Sequence, residues 1–148
     1  MKTIVPLTLV MLLTGCAIYQ TVEPAASVVS GEICIVENPD VREKFLEIYR
    51  RELEAKGYQT RVIPATSTVY DCPQVSRYTA NWRWDIAYYL AFAEISVYED
   101  GKRVGRVVYD SLRGDLNIGK FVLGEAKIEQ LVRQLFPQDA QATAAAAP

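Results

Sequence analysis

The dipeptide Asp100-Gly101, set between two stretches of alternating apolar residues, constrains the fold of this chain more than any other feature. A two-residue hairpin turn of type I′ needs positive φ at both central positions. Asp-Gly accepts this, and the twist of that turn matches paired antiparallel strands. Before it, residues 90–98 put Ala91, Ala93, Ile95 and Val97 on one face; after it, residues 102–109 supply the partner strand. Further upstream, residues 75–85 alternate as well. Tyr78, Ala80, Trp82 and Trp84 fall on one face and Arg77, Thr79, Asn81 and Arg83 on the other, the pattern of a half-buried strand. Three such strands predict an antiparallel meander with one apolar face to cover, and the tryptophans are expected to pack beneath whatever covers it.

Two helical stretches can supply the cover. Asn38-Pro39 reads as an N-cap with proline at the first helical position. Val41, Phe45, Ile48, Tyr49 and Leu53 then recur at helical spacing, and Gly57 reads as the C-cap. A second helix is predicted over 124–136, with Ile128, Leu131, Val132 and Leu135 as its buried stripe and Pro137 as its stop. Short strands are predicted at 32–36 and 58–63, and a loop carrying Cys72 at 65–73. The order β-α-β-β-β-β-α implies an α+β two-layer sandwich, a mostly antiparallel sheet of about five strands with both helices on one face. The helix between the first two strands permits a right-handed parallel crossover.

The beginning of the chain reads differently. Met1-Lys2 is a short positive start, residues 4–13 are mostly apolar, and Leu13-Thr14-Gly15-Cys16 follows. That is the layout of a secretory signal peptide, and the apolar run is shorter than the ~20 residues a spanning helix needs. The four residues ending at Cys16 resemble the lipobox of bacterial lipoproteins. The resemblance implies lipidation of the Cys16 thiol, removal of residues 1–15 and acylation of the new amine; two or more acyl chains anchor stably where one does not. Ala17 stands where the inner-membrane retention signal of such proteins is typically aspartate, which implies, in a Gram-negative host, the outer membrane, facing the periplasm. Residues 16–30 read as lipidated cysteine and flexible tether, with a reach of ~20 Å. Residues 31–137 read as a single domain and the alanine-rich 138–148 as a disordered tail.

Export gives the other cysteines a meaning. With Cys16 lipidated, Cys34 and Cys72 remain, in a compartment where disulfides persist. A Cys34–Cys72 bond is expected, two separate buried thiols being the alternative.

Several activities are disfavoured by composition. The chain has no histidine, so Ser-His and Cys-His nucleophile pairs and imidazole metal sites are excluded. A formal charge of −2 gives no reason to expect nucleic acid. Gly114 to Lys120 matches the spacing of a P-loop, but Phe121 stands where Mg²⁺ coordination needs Ser or Thr, so no nucleotide is expected. Among the carboxylates, Asp85 is the one candidate for chemistry, because two tryptophans precede it and could desolvate it. The expectation is no cofactor, no metal and no catalytic residue.

Taken together, Asn38-Pro39, the cysteine before the central strands, Trp82-Arg83-Trp84-Asp85 followed by Tyr89-Leu90, and Val97-Tyr98-Glu99-Asp100-Gly101 resemble a family of small, uncharacterised bacterial lipoproteins. The resemblance runs from about Glu32 to Phe136. It implies the anchor and the fold, and no activity.

One stretch points toward function. Ile86, Ala87, Tyr88 and Tyr89 connect two strands without the Gly, Asn, Asp or Ser that exposed turns favour. Exposed apolar clusters mark contacts, so Ile86 with Tyr88 or Tyr89 is expected to be exposed and to meet another envelope protein. A second apolar run, Leu116, Ile118, Phe121, Val122 and Leu123, is a lesser candidate. The expected role is a membrane-anchored, non-catalytic envelope lipoprotein that binds another envelope protein or component. A small carboxylate-dependent enzyme using Asp85, and a structural part of a surface assembly, are the alternatives.

Overall fold

The computed structural model describes residues 18–29, 31–85, 87–112 and 124–137. Cys16, Ile86, the segment containing Gly114–Lys120 and its apolar run, the signal peptide and the tail lie outside them. Six strands and two helices are described: β1 (Tyr19–Glu23), β2 (Glu32–Val36), α1 (Glu43–Ala55), β3 (Gln59–Ile63), β4 (Gln74–Asp85), β5 (Ala87–Glu99), β6 (Lys102–Asp110) and α2 (Gly124–Leu135). They form one mixed sheet in the order β1-β6-β5-β4-β2-β3. The meander β4-β5-β6 is antiparallel, and β2 runs parallel to both β3 and β4. The α+β sandwich and the parallel crossover stand as expected. Asp100 and Gly101 both take positive φ, 49° and 78°, as the hairpin requires.

Three readings are corrected. The tether does not extend through 30: Tyr19–Glu23 pairs antiparallel with β6, Tyr19 opposite Asp110 and Glu23 opposite Arg106. Ile18 already packs against the core. Its sequence alternates too weakly to announce a strand, and the exposed backbone of β6 selects it. This sixth strand also adds one to the expected count and puts a strand before the one at 32–36. Helix α1 starts at Glu43, not at Asn38. The Asn38 side chain instead accepts from the Asp40 N–H at 3.1 Å and donates to the Tyr78 carbonyl at 3.0 Å, a local turn that competes with a cap. The third correction is the hairpin connection at 86–89, since Ala87, Tyr88 and Tyr89 belong to β5 and pair with Asp85, Trp84 and Arg83.

The C-terminus of α1 forms as read. Gly57 takes φ 89°, its N–H donates to the Glu54 carbonyl, and the Tyr58 N–H donates to Leu53, closing the helix with a Schellman motif. Both helical stripes are buried, Phe45, Ile48, Tyr49 and Leu53 on α1 and Ile128, Leu131, Val132 and Leu135 on α2. They meet Ile33, Ile35, Ala93, Ile95, Val97, Val107 and Tyr109 of the sheet in one cluster. A smaller cluster, Cys34, Val36, Ile63, Cys72 and Val75, lies on the opposite face under the loop that follows β3. Cys34 and Cys72 are joined there by a disulfide, with Cα atoms 6.3 Å apart. The Arg61 guanidinium donates to Glu32 at 2.9 Å beside the two sulfurs.

Candidate functional site

Strands β4 and β5 are the longest in the sheet, and their outer halves leave it. The ladder across the sheet aligns Tyr19, Asp110, Phe92 and Asn81 in one row. Beyond that row β4 and β5 continue through four more pairs: Trp82 with Leu90, Arg83 with Tyr89, Trp84 with Tyr88, and Asp85 with Ala87. No neighbouring strand accompanies them among the described residues, since β6 stops at Asp110 and β2 meets β4 only at Val75 and Ser76. The result is a two-stranded arm. An isolated ribbon of two strands is marginal in water, so side chains at its base must hold it.

They do so in two ways. Ala91 is bulged out of the β4–β5 ladder, where the register shifts between Asn81 and Trp82. Bulges sharpen twist and re-aim a strand. The Ser111 hydroxyl, buried, lies 3.1 Å from the carbonyls of both Leu90 and Ala91, while the Ser111 N–H donates to Ala91 at 2.9 Å. Second, a column of rings runs from core to tip. Tyr49 contacts Tyr78, Tyr78 stacks on Phe45 at 5.2 Å, and Trp82 meets Phe45 edge-on at 6.2 Å. The Arg42 guanidinium lies 5.2 Å from the Trp82 ring and 5.0 Å from the Tyr88 ring, and Tyr88 meets Trp84 edge-on at 5.0 Å. A cation over aromatic faces is attracted by their quadrupole, which ties the residue preceding α1 to the arm. Beside this column a cleft of about 200 Å³ is lined by Arg42, Phe45, Trp82, Tyr88, Gly124 and Ile128.

Burial falls along the column. Tyr49 is fully buried, and its phenol is pushed well above the ordinary tyrosine range by loss of water, partly offset by a 2.6 Å hydrogen bond with Ser76. Tyr78 is raised by burial too, although its hydroxyl accepts the Asn38 N–H. At the tip, Trp84 and Tyr88 are each 65% exposed.

The expected contact residues therefore divide. Tyr88 is exposed; Tyr89 is buried at 8% and leaves the candidate set; Ile86 lies outside the described residues. Trp84 was expected under the helices and is instead open, because the arm carries it past their ends. Trp84 and Arg42 complete the surface. Arg42 is a residue that periodicity cannot flag, since it precedes the helix it was assigned to. Asp85 is exposed, as is Trp84 beside it, so the tryptophans do not enclose it. No described helix is long and apolar enough to cross a membrane.

Comparison with known proteins gives a fold. No family model matches the chain, and no curated protein matches it. Among solved structures, the PelC dodecamer from Paraburkholderia phytofirmans is similar at 14% identity and TM-score 0.50, over 83% of this chain and 98% of that one. A variant PelC dodecamer from the same organism gives the same identity and score over 80% and 92%. The likeness is one of fold. A minor lipoprotein from Acinetobacter baumannii also matches, at 17% identity and TM-score 0.36 over 80% and 95%.

Proposed function

We propose that this chain is a lipid-anchored envelope lipoprotein of the outer membrane, facing the periplasm, that acts without catalysis by docking onto another envelope protein or component through the β4–β5 arm. The observation that carries this reading is the exposed pair Trp84 and Tyr88, in edge-on contact with each other and with Arg42 over the Tyr88 ring, at the end of an aromatic column rooted in the core. A solitary exposed aromatic is unremarkable, but two rings in contact on a braced projection form the kind of anchor that contact surfaces use. The anchor rests on Leu13-Thr14-Gly15-Cys16, and the non-catalytic role on the absence of histidine and the open setting of Asp85.

A photo-crosslinking amino acid at position 88, irradiated in intact cells, tests the reading. It should give a discrete adduct with an envelope component that the same group at Thr68, on the loop at the far end, does not give. Equal and diffuse labelling from both positions would contradict it. A second reading, a structural subunit of a surface assembly, is favoured by the dodecamers that PelC builds on a similar fold. Light scattering of the purified lipoprotein separates them: a defined oligomer supports the second reading, a monomer the first.

A further inference from the structure

The register of the sheet says what the arm can reach. Ile18 is packed against the core and Tyr19 begins β1 opposite Asp110, so the chain enters the domain at the row Tyr19, Asp110, Phe92 and Asn81. Cys16 stands two residues before Ile18. Even fully extended, that stretch spans only about 7 Å. The arm extends four residue pairs past the same row and in the same direction, which is about 13 Å at the strand rise. Across the sheet, β1 and the arm are separated only by β6, so the two lie about 10–14 Å apart.

A domain held by acyl chains on Cys16 thus has its arm aimed at the surface that holds it. The side chains at this end fit that surface. Tyr19, Trp84, Tyr88 and Leu112 are four of the six large apolar residues exposed among the described residues. The other two, Val62 and Tyr70, lie away from it, level with Ser76 or beside Gly101. Trp and Tyr concentrate at the membrane–water interface, where an apolar body and a polar tip are both satisfied. Arg42, over the Tyr88 ring, and exposed Arg83 have long stems that keep their charge at headgroup level. Exposed Asp85 sits at the tip, and its charge limits the arm to the headgroup zone.

We propose that the β4–β5 arm is a second membrane contact, Trp84 and Tyr88 seating in the interfacial zone of the bilayer that Cys16 anchors. This rests on the lipid-anchor reading above and names the envelope component as the lipid surface itself. Acyl chains alone would leave the domain free to swivel; a second contact fixes which face looks outward.

Trp82 and Trp84 are the two tryptophans of the chain, so each reports alone when the other is replaced. Full-length protein, purified from membranes and checked for lipid on Cys16 by mass, is reconstituted into phosphatidylethanolamine–phosphatidylglycerol vesicles. A fraction of the lipid carries a nitroxide at the headgroup or at mid-chain. In the Trp82→Phe protein, Trp84 emission should be quenched roughly two-fold or more by the headgroup label and less by the mid-chain label, as an interfacial ring requires. The Trp84→Phe protein, which keeps Trp82, should respond to neither. Should Trp82→Phe disturb the arm, the difference between wild type and Trp84→Phe reports the same ring. Lipidated protein whose Trp84 is reached by acrylamide but by neither nitroxide would overturn the contact and leave the anchor standing. So would a Trp84 shielded from all three quenchers, which would mean a protein covers it. Protein without lipid on Cys16 would remove the anchor and the contact together.

Discussion

Tyr49 shows how much one hydroxyl does in this core. Its ring is buried between α1 and the sheet, and its hydroxyl shares a 2.6 Å bond with Ser76, which is itself fully buried on β4. Tyr49→Phe keeps the ring and strands the serine, at an expected cost of about 1–2 kcal/mol in chemical denaturation. Adding Ser76→Ala should restore part of that loss, because a buried donor without a partner costs more than none. The pH response has a definite sign. Burial raises the Tyr49 phenol, so the folded state favours its protonated form. That stability is fully present below the ordinary tyrosine value of about 10 and is lost as pH rises from there toward the raised one. Wild type should weaken under alkali more steeply than Tyr49→Phe, a difference read from denaturation midpoints across pH.

At the scale of elements, the disulfide and the arm make opposite demands on stability. Cys34–Cys72 ties β2 to the loop before β4 across a separation of 38 residues, worth about 4 kcal/mol in the chain-entropy picture. Cys34→Ser with Cys72→Ser should lower the unfolding free energy by up to that amount, and thiol labelling of the wild-type protein without reductant should find both sulfurs protected. The arm should be nearly silent in the same assay. Trp84→Ala with Tyr88→Ala removes rings that are each 65% exposed, so the melting temperature should hold; a large drop would mean that these rings belong to the core. Both helices, the crossover and the Asp-Gly hairpin were legible in the sequence, since period and turn chemistry are local. The face of Trp84 was legible as well: it pairs with Tyr88, on the side that Trp82 turns toward Phe45. Its exposure was not, because alternation reports the side of a strand and carries no information on where the covering helices end. Strand β1 was hidden for a related reason. Its five residues include one strongly apolar side chain, Val22, and its conformation is set by β6.

On the scale of the whole molecule, the early start of β1 changes the geometry of anchoring. A tether reaching to residue 30 would let the domain drift ~20 Å from the membrane. A chain already packed at Ile18 leaves two residues between Cys16 and the domain; with lipid on Cys16, as proposed, the end of the sheet that bears Tyr19, Leu112, Trp84 and Tyr88 would come down to the lipid. All of this depends on Cys16. The most direct test is Cys16→Ala expressed in the native host, followed by membrane fractionation and the mass of the product. Cys16→Ala should give an unprocessed precursor that carries no lipid, against a wild-type chain that begins at Cys16 and stays with the outer membrane. A variant with the same size and the same membrane behaviour as wild type would contradict it.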